Sequence, residues 1–445
     1  MPVPKTVNRL RAILRSIRRD PCEIGYSRRI NGLTRFMKNR IHQNTVSEER
    51  LVWIRVIVDG RAGIALTNRF DQDSLASAAK QAEKIARNMP QSNVPVTLPS
   101  EIPLADTLSF DEFTARAQPY DRAETLRRLF CRAQGQSVEL SGALSTSENT
   151  LCIVNTEGVE SYQTWTRAEL NLVATKGALS GRSYWVSNAL SEVPFDEQLE
   201  EALKLVTRSE SLGSVDLPCE TTVVLDHLAV GQLVGFLGWM AFGAKQYLEG
   251  QSPLCNRLGK RICSSKVTIW DDGLDPEGMP RVFDYEGVAR KRVVLVEKGI
   301  AKGLVTDSRT AAQLQMPNTG HAAPPTSDEG PQAENLFMAG GRSTLERLIH
   351  STENGIYVRN FHYVNVVDPI TTTITGMTRD GTYRIANGRL VEPLPNLRFT
   401  VEVLDVLNRI TALTAETRRV EGVTGVAVVP AIKVQRFGFT SASEA

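Results

Sequence analysis

Hairpin signals in both halves of the chain constrain its fold more than any other feature of the sequence. Residues 51–67 (LVWIRVIVDGRAGIALT) alternate around Asp59-Gly60, a pair that suits the positive φ angles of a two-residue turn. Residues 292–307 and 382–393 repeat the signal, the second of them around Asn387-Gly388. These segments predict antiparallel sheet in the N-terminal and the C-terminal parts of the chain.

Apolar residues at helical spacing predict helices beside these strands. One helix is expected between Asp71 and Pro90, and two others over residues 121–135 and 197–211. In the C-terminal half, Ser343 and Glu346 form a capping-box pattern, with Asn354-Gly355 as the predicted stop. The pattern predicts an α+β fold rather than regularly alternating strands and helices.

The length predicts more than one domain. At about 100–200 residues per domain, 445 residues suggest two or three. The residue pattern changes near Pro218, where a predicted short strand (TVVLD, 222–226) leads into an apolar stretch. We therefore expect an N-terminal domain of sheet and covering helices over 1–215, and a strand-rich C-terminal domain with a few helices over 216–445.

Charge and hydropathy argue against nucleic acid and membrane as partners. Lys and Arg number 52 against 50 Asp and Glu, so no strong field attracts an anionic polymer. The charge-free stretch 228–244 contains four glycines and Gln232, which predicts a buried helix or a subunit contact rather than a membrane span. The basic N-terminal helix predicted around Leu10–Ile17 is interpreted as a surface helix, with a transit or membrane-surface role as the alternative.

The cysteine pattern and the motifs that the sequence lacks limit the kinds of active site that it can form. Six scattered cysteines without a C-x-x-C pair predict reduced thiols and a cytoplasmic location. No dinucleotide-binding, P-loop, nucleophile-elbow or H-E-x-x-H motif occurs, and no two histidines stand four residues apart. The acidic pairs Asp271-Asp272 and Asp284/Glu286 each precede a glycine and are interpreted as turns, not as metal sites.

Several segments in order resemble the TldD/PmbA family over nearly the whole chain. They are LTRFMKNRIHQN (33–44), IRVIVDGRAGIALTN (54–68), FDYEGVARKRVVLVEKGIAKGLVTDSRTA (283–311), NTGHAAP (318–324), NGIYVRNF (354–361) and TRDGTYRIANGRL (378–390). The resemblance implies a peptidase family whose two subunit types, TldD and TldE (also PmbA), assemble. In the TldD type, a His-Glu-x-x-x-His helix and a late cysteine hold zinc.

The corresponding motif in this chain is degenerate. His227 matches the first histidine of the motif, whereas Leu228 replaces the glutamate and Gln232 replaces the second histidine. Leucine cannot act as a base, an amide is a weak zinc ligand, and no cysteine follows Cys263. The resemblance therefore implies the TldE type, with no catalytic residue and no metal ligand assigned in this chain and with zinc expected in a TldD-like partner.

The leading hypothesis is a catalytically inactive, TldE-like subunit of a cytoplasmic metallopeptidase that processes unstructured peptides. Such a subunit would pair with a TldD-like chain in a heterodimer or larger complex, or self-associate, and help to form the substrate chamber. One alternative is an independent metallopeptidase with a site rebuilt from His227, His321, His350 and the acids at 271, 272, 284 and 286. Another is a regulatory binding protein that acts without proteolysis.

Overall fold

A computed structural model describes residues 5–17, 21–91, 93–100, 109–207 and 211–442. Within these ranges, the N-terminal part forms a sheet, five α-helices and a short 3-10 helix at Leu190–Glu192. Its strands are β1 (Cys22–Met37), β2 (Arg40–Val58), β3 (Arg61–Thr67), β4 (Glu139–Asn155), β5 (Glu160–Lys176) and β6 (Leu179–Ser187). Its helices are α1 (Lys5–Ile17), α2 (Gln72–Asn88), α3 (Glu112–Arg116), α4 (Pro119–Gln134) and α5 (Phe195–Val206).

The strands of this first sheet are antiparallel, in the order β3-β2-β1-β4-β5-β6. Because side chains alternate along a strand, one face carries the even-numbered residues of β1, β2, β4 and β5 and the odd-numbered residues of β3 and β6. That face carries Ile24, Ile54 and Leu170 and is covered by α1, α2, α4 and α5. The opposite face carries Trp53 and Ile153 and packs against the loop at Phe283.

The described residues of the C-terminal part form a larger mixed sheet and five α-helices. Its strands are β7 (Cys219–Leu225), β8 (Ile269–Asp271), β9 (Val293–Glu297), β10 (Ile300–Ala301), β11 (Asn335–Met338), β12 (Asn354–Asp368), β13 (Thr373–Ala386), β14 (Arg389–Pro393), β15 (Leu397–Glu402), β16 (Ile410–Glu421), β17 (Val426–Phe439) and β18 (Ser441–Ala442). Its helices are α6 (His227–Ala241), α7 (Ala244–Leu248), α8 (Ser308–Leu314), α9 (Leu345–His350) and α10 (Val403–Asn408).

Within the described residues, this sheet runs β10-β9-β8-β11-β17-β7-β12-β13-β15-β18, with β14 beside β13 and β16 beside β17. The β11–β17 and β12–β7 pairs are parallel, while the other pairs are antiparallel. Helix α6 lies in the main core, with residues such as Leu233 and Leu237 fully buried. The predicted α+β fold is confirmed, and its strands form two large sheets.

Most of the local predictions are confirmed by these elements. The predicted hairpins are β2–β3, β9–β10 and β13–β14, and Asp59-Gly60 and Asn387-Gly388 adopt positive φ. Helix α1 buries Leu10 and Ile13 against the first sheet, as expected for a surface helix. The predicted helix 197–211 is α5, which begins and ends earlier; residues 208–210 lie outside the described part of the chain.

The predicted limits of the short helix at 343–355 are wrong at both ends. Helix α9 is capped by Thr344, whose hydroxyl accepts from the amide of Arg347 at 3.2 Å. Ser343 instead forms a backbone bridge to Thr414. Asn354 and Gly355 open strand β12 rather than terminating the helix, because Gly355 lies against the carbonyl of Thr222 in a neighbouring strand.

Candidate functional site

The candidate site lies where β7 ends and α6 begins. Asp226 caps α6: its Oδ1 accepts from the backbone amide of His227 at 2.6 Å and contacts the His227 ring Nδ1 at 2.7 Å. The parallel neighbour β12 accepts a hydrogen bond from the Asp226 amide through the Val358 carbonyl at 2.9 Å. The strand end therefore fixes both the carboxylate and the imidazole.

Strand β12 also surrounds the Asp226 carboxylate with hydrogen-bond donors. Arg359 Nη1 donates to Oδ2 at 2.7 Å, and the Tyr357 hydroxyl donates to the same oxygen. Burial by itself favours the neutral acid, but the Arg359 charge and the bonds from His227 and Tyr357 outweigh it. The pKa of Asp226 is consequently held well below its usual range. Asp226 is an ionised, fully buried anchor.

This carboxylate sets the tautomer of His227. Because an ionised carboxylate only accepts hydrogen bonds, Nδ1 carries a proton, and in the neutral imidazole the lone pair is then on Nε2. His227 is 2% exposed, and its Nε2 has no hydrogen-bond partner among the described residues. A carboxylate-oriented imidazole with a free Nε2 is the arrangement that a metal-ligating histidine requires.

The remaining donors do not fit a zinc ion. Leu228 is a buried core residue, and the half-buried Gln232 offers an amide in place of an imidazole. Cys263 lies in the same apolar core, where burial raises the pKa of its thiol to about 12 and so opposes the thiolate form. Within the residues that the structure describes, no group of three or more His, Cys, Asp or Glu side chains could hold a metal ion.

The structure brings together only part of the alternative, rebuilt site: His321 contacts Asp271, and the amide of Ala322 donates to Asp284 Oδ2 at 2.8 Å, but within the described residues these groups do not form a set that could hold a metal ion. His321 Nε2 contacts Asp271 Oδ1 at 2.8 Å, and this pair is buried at the end of β8. Asp284 and Glu286 share another turn, where Glu286 pairs with Arg55 at 2.9 Å. His350 is exposed at the end of α9. The prediction that Asp271 lies in a turn is wrong, because this residue completes a buried strand.

An ionic network connects the candidate site to the first unit. Arg359 contacts Glu201 of α5 at 3.0 Å, and Glu201 also accepts from Arg418 Nη1 at 2.7 Å. Arg359 Nε donates to the Arg182 carbonyl of β6 at 3.0 Å. Burial opposes the charge of Arg359, but Asp226 and Glu201 more than offset it and raise the pKa of its guanidinium.

A cavity of ≈ 1170 Å³ opens beside this network, between α5 and the second sheet. Part of its wall is formed by Asp226, Tyr357 and Arg359. Apolar residues such as Leu345 and the polar residues 416–419 of β16 form other parts of the wall. Strand β16 pairs with β17 and with no other described strand, but its residues 413–415 exchange backbone hydrogen bonds with the segment 341–343. The cavity therefore borders a strand whose outer edge has no described strand paired with it beyond residue 415.

Sequence reasoning identified His227, Leu228 and Gln232 but missed Asp226, Tyr357, Arg359 and Glu201. The partners of Asp226 come from 131 and 133 residues away, which no local pattern reveals. Two signals were present: a carboxylate directly before an apolar helix, and an arginine within the strand NGIYVRNF. Because a buried charge requires a partner of opposite charge, Asp226 and Arg359 each indicate that such a partner lies nearby in the fold.

Comparison with known proteins identifies the family. Residues 218–441 match the profile described as "PmbA/TldA metallopeptidase C-terminal domain", and residues 22–86 match "PmbA/TldA metallopeptidase domain 1". The chain belongs to the PmbA/TldD family. The family membership that the sequence resemblance predicted is thus confirmed. The C-terminal match covers the whole second sheet except the last residue of β18.

Individual relatives agree with this assignment. A metalloprotease of Methanothermobacter thermautotrophicus is 26% identical over 80% of this chain and 79% of its own length. A metalloprotease TldD homolog of Buchnera aphidicola is 22% identical over 84% and 83%. The crystal structure of TldE from Thermococcus kodakarensis superposes with a TM-score of 0.86 at 20% identity, covering 97% of this chain and 100% of that one. At that identity the structural likeness concerns the fold.

Proposed function

We propose that this chain is a non-catalytic, TldE-like subunit of a zinc metallopeptidase that cleaves unstructured peptides. In this proposal, a TldD-like partner carries the zinc and the glutamate base. The observation that supports it is the isolation of His227: the imidazole is correctly oriented, yet Leu228 and Gln232 supply neither a base nor a second strong ligand. The metalloprotease descriptions of the relatives support the peptidase part of the proposal.

Peptide handling would take place at the cavity beside β16. An extended peptide can add to an unpaired strand edge through main-chain hydrogen bonds, which recognise it largely regardless of its side chains. The apolar wall at Leu345 and the charged wall at Glu416 and Arg418 would accept mixed side chains. This geometry supports a role in holding the substrate rather than in cleaving it.

Domain limits and location complete the proposal. We place the domain boundary at 215/216, in the connection between α5 and β7, which agrees with a family match that begins at residue 218. All six cysteines are free thiols, which supports a reducing, cytoplasmic setting. No helix in the described ranges combines the length and the apolar character needed to cross a membrane.

Co-expression tests the proposal. The chain is produced alone and together with a TldD-type protein of the same organism that retains the His-Glu-x-x-x-His motif. We expect a co-purifying hetero-oligomer by light scattering, and hydrolysis of an unstructured peptide that requires the partner. A matched control inactivates the partner's glutamate and should abolish hydrolysis without breaking the complex. Hydrolysis by the chain alone would contradict the proposal, and so would homo-oligomers that do not bind the partner when the two are co-expressed.

A further inference from the structure

A second cavity, of ≈ 390 Å³, lies between the two sheets. One wall is the face of the first sheet opposite its covering helices, where Arg29 projects from β1 and Arg167 and Trp165 project from β5. The other wall comes from the loops around Arg281, Arg290 and Glu334, before β9 and β11. Both units therefore contribute side chains to the same pocket.

The charges of this pocket are unbalanced. Four arginines line it against two glutamates, which leaves an excess of two positive charges. Arg167 is paired with Glu169 at 2.7 Å, whereas Arg281 and Arg290 share the single carboxylate of Glu334. The guanidinium of Arg29 donates to the amide oxygen of Asn31 at 3.4 Å rather than to a carboxylate.

Arg290 is the most constrained of these residues. Its side chain is 1% exposed, and its Nε is a buried donor without a partner among the described residues. Burial, followed by the nearby charge of Arg281, lowers the pKa of its guanidinium to about 10. The carboxylates of Asp271 and Asp284 favour the charge of Arg290 but do not offset its burial, so a further anion would stabilise this cation.

The rest of the lining suits a small ligand with an anionic group. The Arg281 guanidinium lies over the Trp165 ring, 5.7 Å from its centroid, which leaves an aromatic wall beside the charged one. Ser147 and Asn149 add a hydroxyl and an amide from β4. Arginine recognises carboxylate and phosphate groups through paired N–H donors, so the shared chemistry of the expected ligand is an oxyanion.

We propose that this pocket binds a small oxyanion, a carboxylate or phosphate group of a ligand, held by Arg29, Arg281 and Arg290. The anion neutralises the positive excess and connects the first sheet to the loops of the second unit. This site is separate from the His227 centre, and it does not depend on whether the chain acts as a peptidase subunit.

Isothermal titration of the full chain tests the site, with inorganic phosphate, N-acetyl-dialanine and the C-terminal amide of that dipeptide as probes at constant ionic strength. Arg29→Gln and Arg281→Gln should each weaken binding by about tenfold or more, since a hydrogen bond to a charged group is lost. Arg28→Gln is the matched control: the neighbouring arginine points to the opposite side of β1 and pairs with Glu48 and Glu148, so its loss should leave binding unchanged.

The three probes distinguish the sources of the oxyanion. Binding of phosphate alone assigns a phosphorylated ligand, and binding of the dipeptide but not of its amide assigns a carboxylate. Circular dichroism of each variant confirms that it is folded before titration. Failure of the wild-type chain to bind either anion would overturn the proposal, as would affinities that are the same in all variants.

Discussion

Asp226 is the residue on which the candidate site depends. Its carboxylate is fully buried and receives donors from Arg359, Tyr357 and His227. Such a group stabilises the fold only while all its partners remain, because a single deletion leaves an uncompensated charge inside the protein. The motif residues His227, Leu228 and Gln232 were predictable from the sequence, but this anchor was not, since strand pairing alone brings its partners to it.

Asp226→Asn should lower the free energy of unfolding at pH 7 by about 3–5 kcal/mol, since Arg359 loses the more deeply buried of its two carboxylate partners and keeps only Glu201. Tyr357→Phe is the control that removes one hydrogen bond to the carboxylate, with an expected loss of about 1.5–3 kcal/mol. Urea denaturation followed by circular dichroism measures both values. A loss below that of Tyr357→Phe would contradict the role of Asp226 as the anchor.

The difference in unfolding free energy between wild type and Asp226→Asn should depend on pH in one direction. The folded-state pKa of Asp226 lies below its unfolded value of about 3.9, so its stabilisation is complete above that pH and is lost as the pH falls further. The stability gap between wild type and Asp226→Asn should therefore narrow below about pH 4. Urea titrations at acidic and neutral pH check this, and a constant gap would exclude the ionised carboxylate.

The contribution of Glu23 to stability is predicted to change with pH in the opposite direction. Burial raises its pKa despite the nearby charge of Arg55, and its Oε2 is a buried acceptor without a partner among the described residues. Ionising Glu23 therefore costs stability as the pH rises above its unfolded value of about 4.3. Relative to wild type, Glu23→Gln should become more stable between pH 4 and 7 in urea titrations. A difference that does not change with pH would contradict this.

Helix α6 is the element that holds the candidate site in place. Its glycines allow close packing on the second sheet: a Cβ at Gly231 would lie 2.2 Å from Val420 Cγ2, and one at Gly235 would lie 2.7 Å from the Val423 amide nitrogen. The sequence predicted a buried helix or a subunit contact over 228–244. The structure shows burial within this chain, because β11, β12, β16 and β17 all pack against α6.

Gly235→Ala should destabilise the protein by about 1–3 kcal/mol, since the backbone at Val423 cannot move away as a flexible side chain can. The matched control is Gly135→Ala, at a helical end of α4 where the nearest atom to the added Cβ is 3.5 Å away. That change should be neutral or stabilising by up to about 1 kcal/mol. Thermal unfolding of both variants compares them, and equal effects would contradict the packing argument.

The elements that the sequence predicted best were those specified by local turn chemistry. Asp59-Gly60 and Asn387-Gly388 fix their hairpins within a few residues, so the pattern alone sufficed. The cap of α9 was displaced from Ser343 to Thr344 because Ser343 pairs with Thr414, a partner 71 residues away in the numbering. Local patterns do not encode such a contact.

At the scale of the whole molecule, the two sheets are joined by buried charges. Arg55 of β2 binds Glu286 of the second unit, and Arg359 of β12 binds Glu201 of α5. The order of the second sheet, with the late strand β17 between β11 and β7, could not be predicted, because parallel and long-range pairings leave no local signal. The residue patterns predicted the α+β fold class, but not this strand order.

Zinc content and peptidase activity of the purified chain, measured on one preparation after loosely bound metal is removed, test the central claim most directly. His227→Ala serves as the matched variant. The proposed non-catalytic subunit predicts zinc far below stoichiometry, no hydrolysis of an unstructured peptide, and no change in either quantity on removing His227. Stoichiometric zinc that is lost together with peptidase activity in His227→Ala would contradict it and identify a metallopeptidase in its own right.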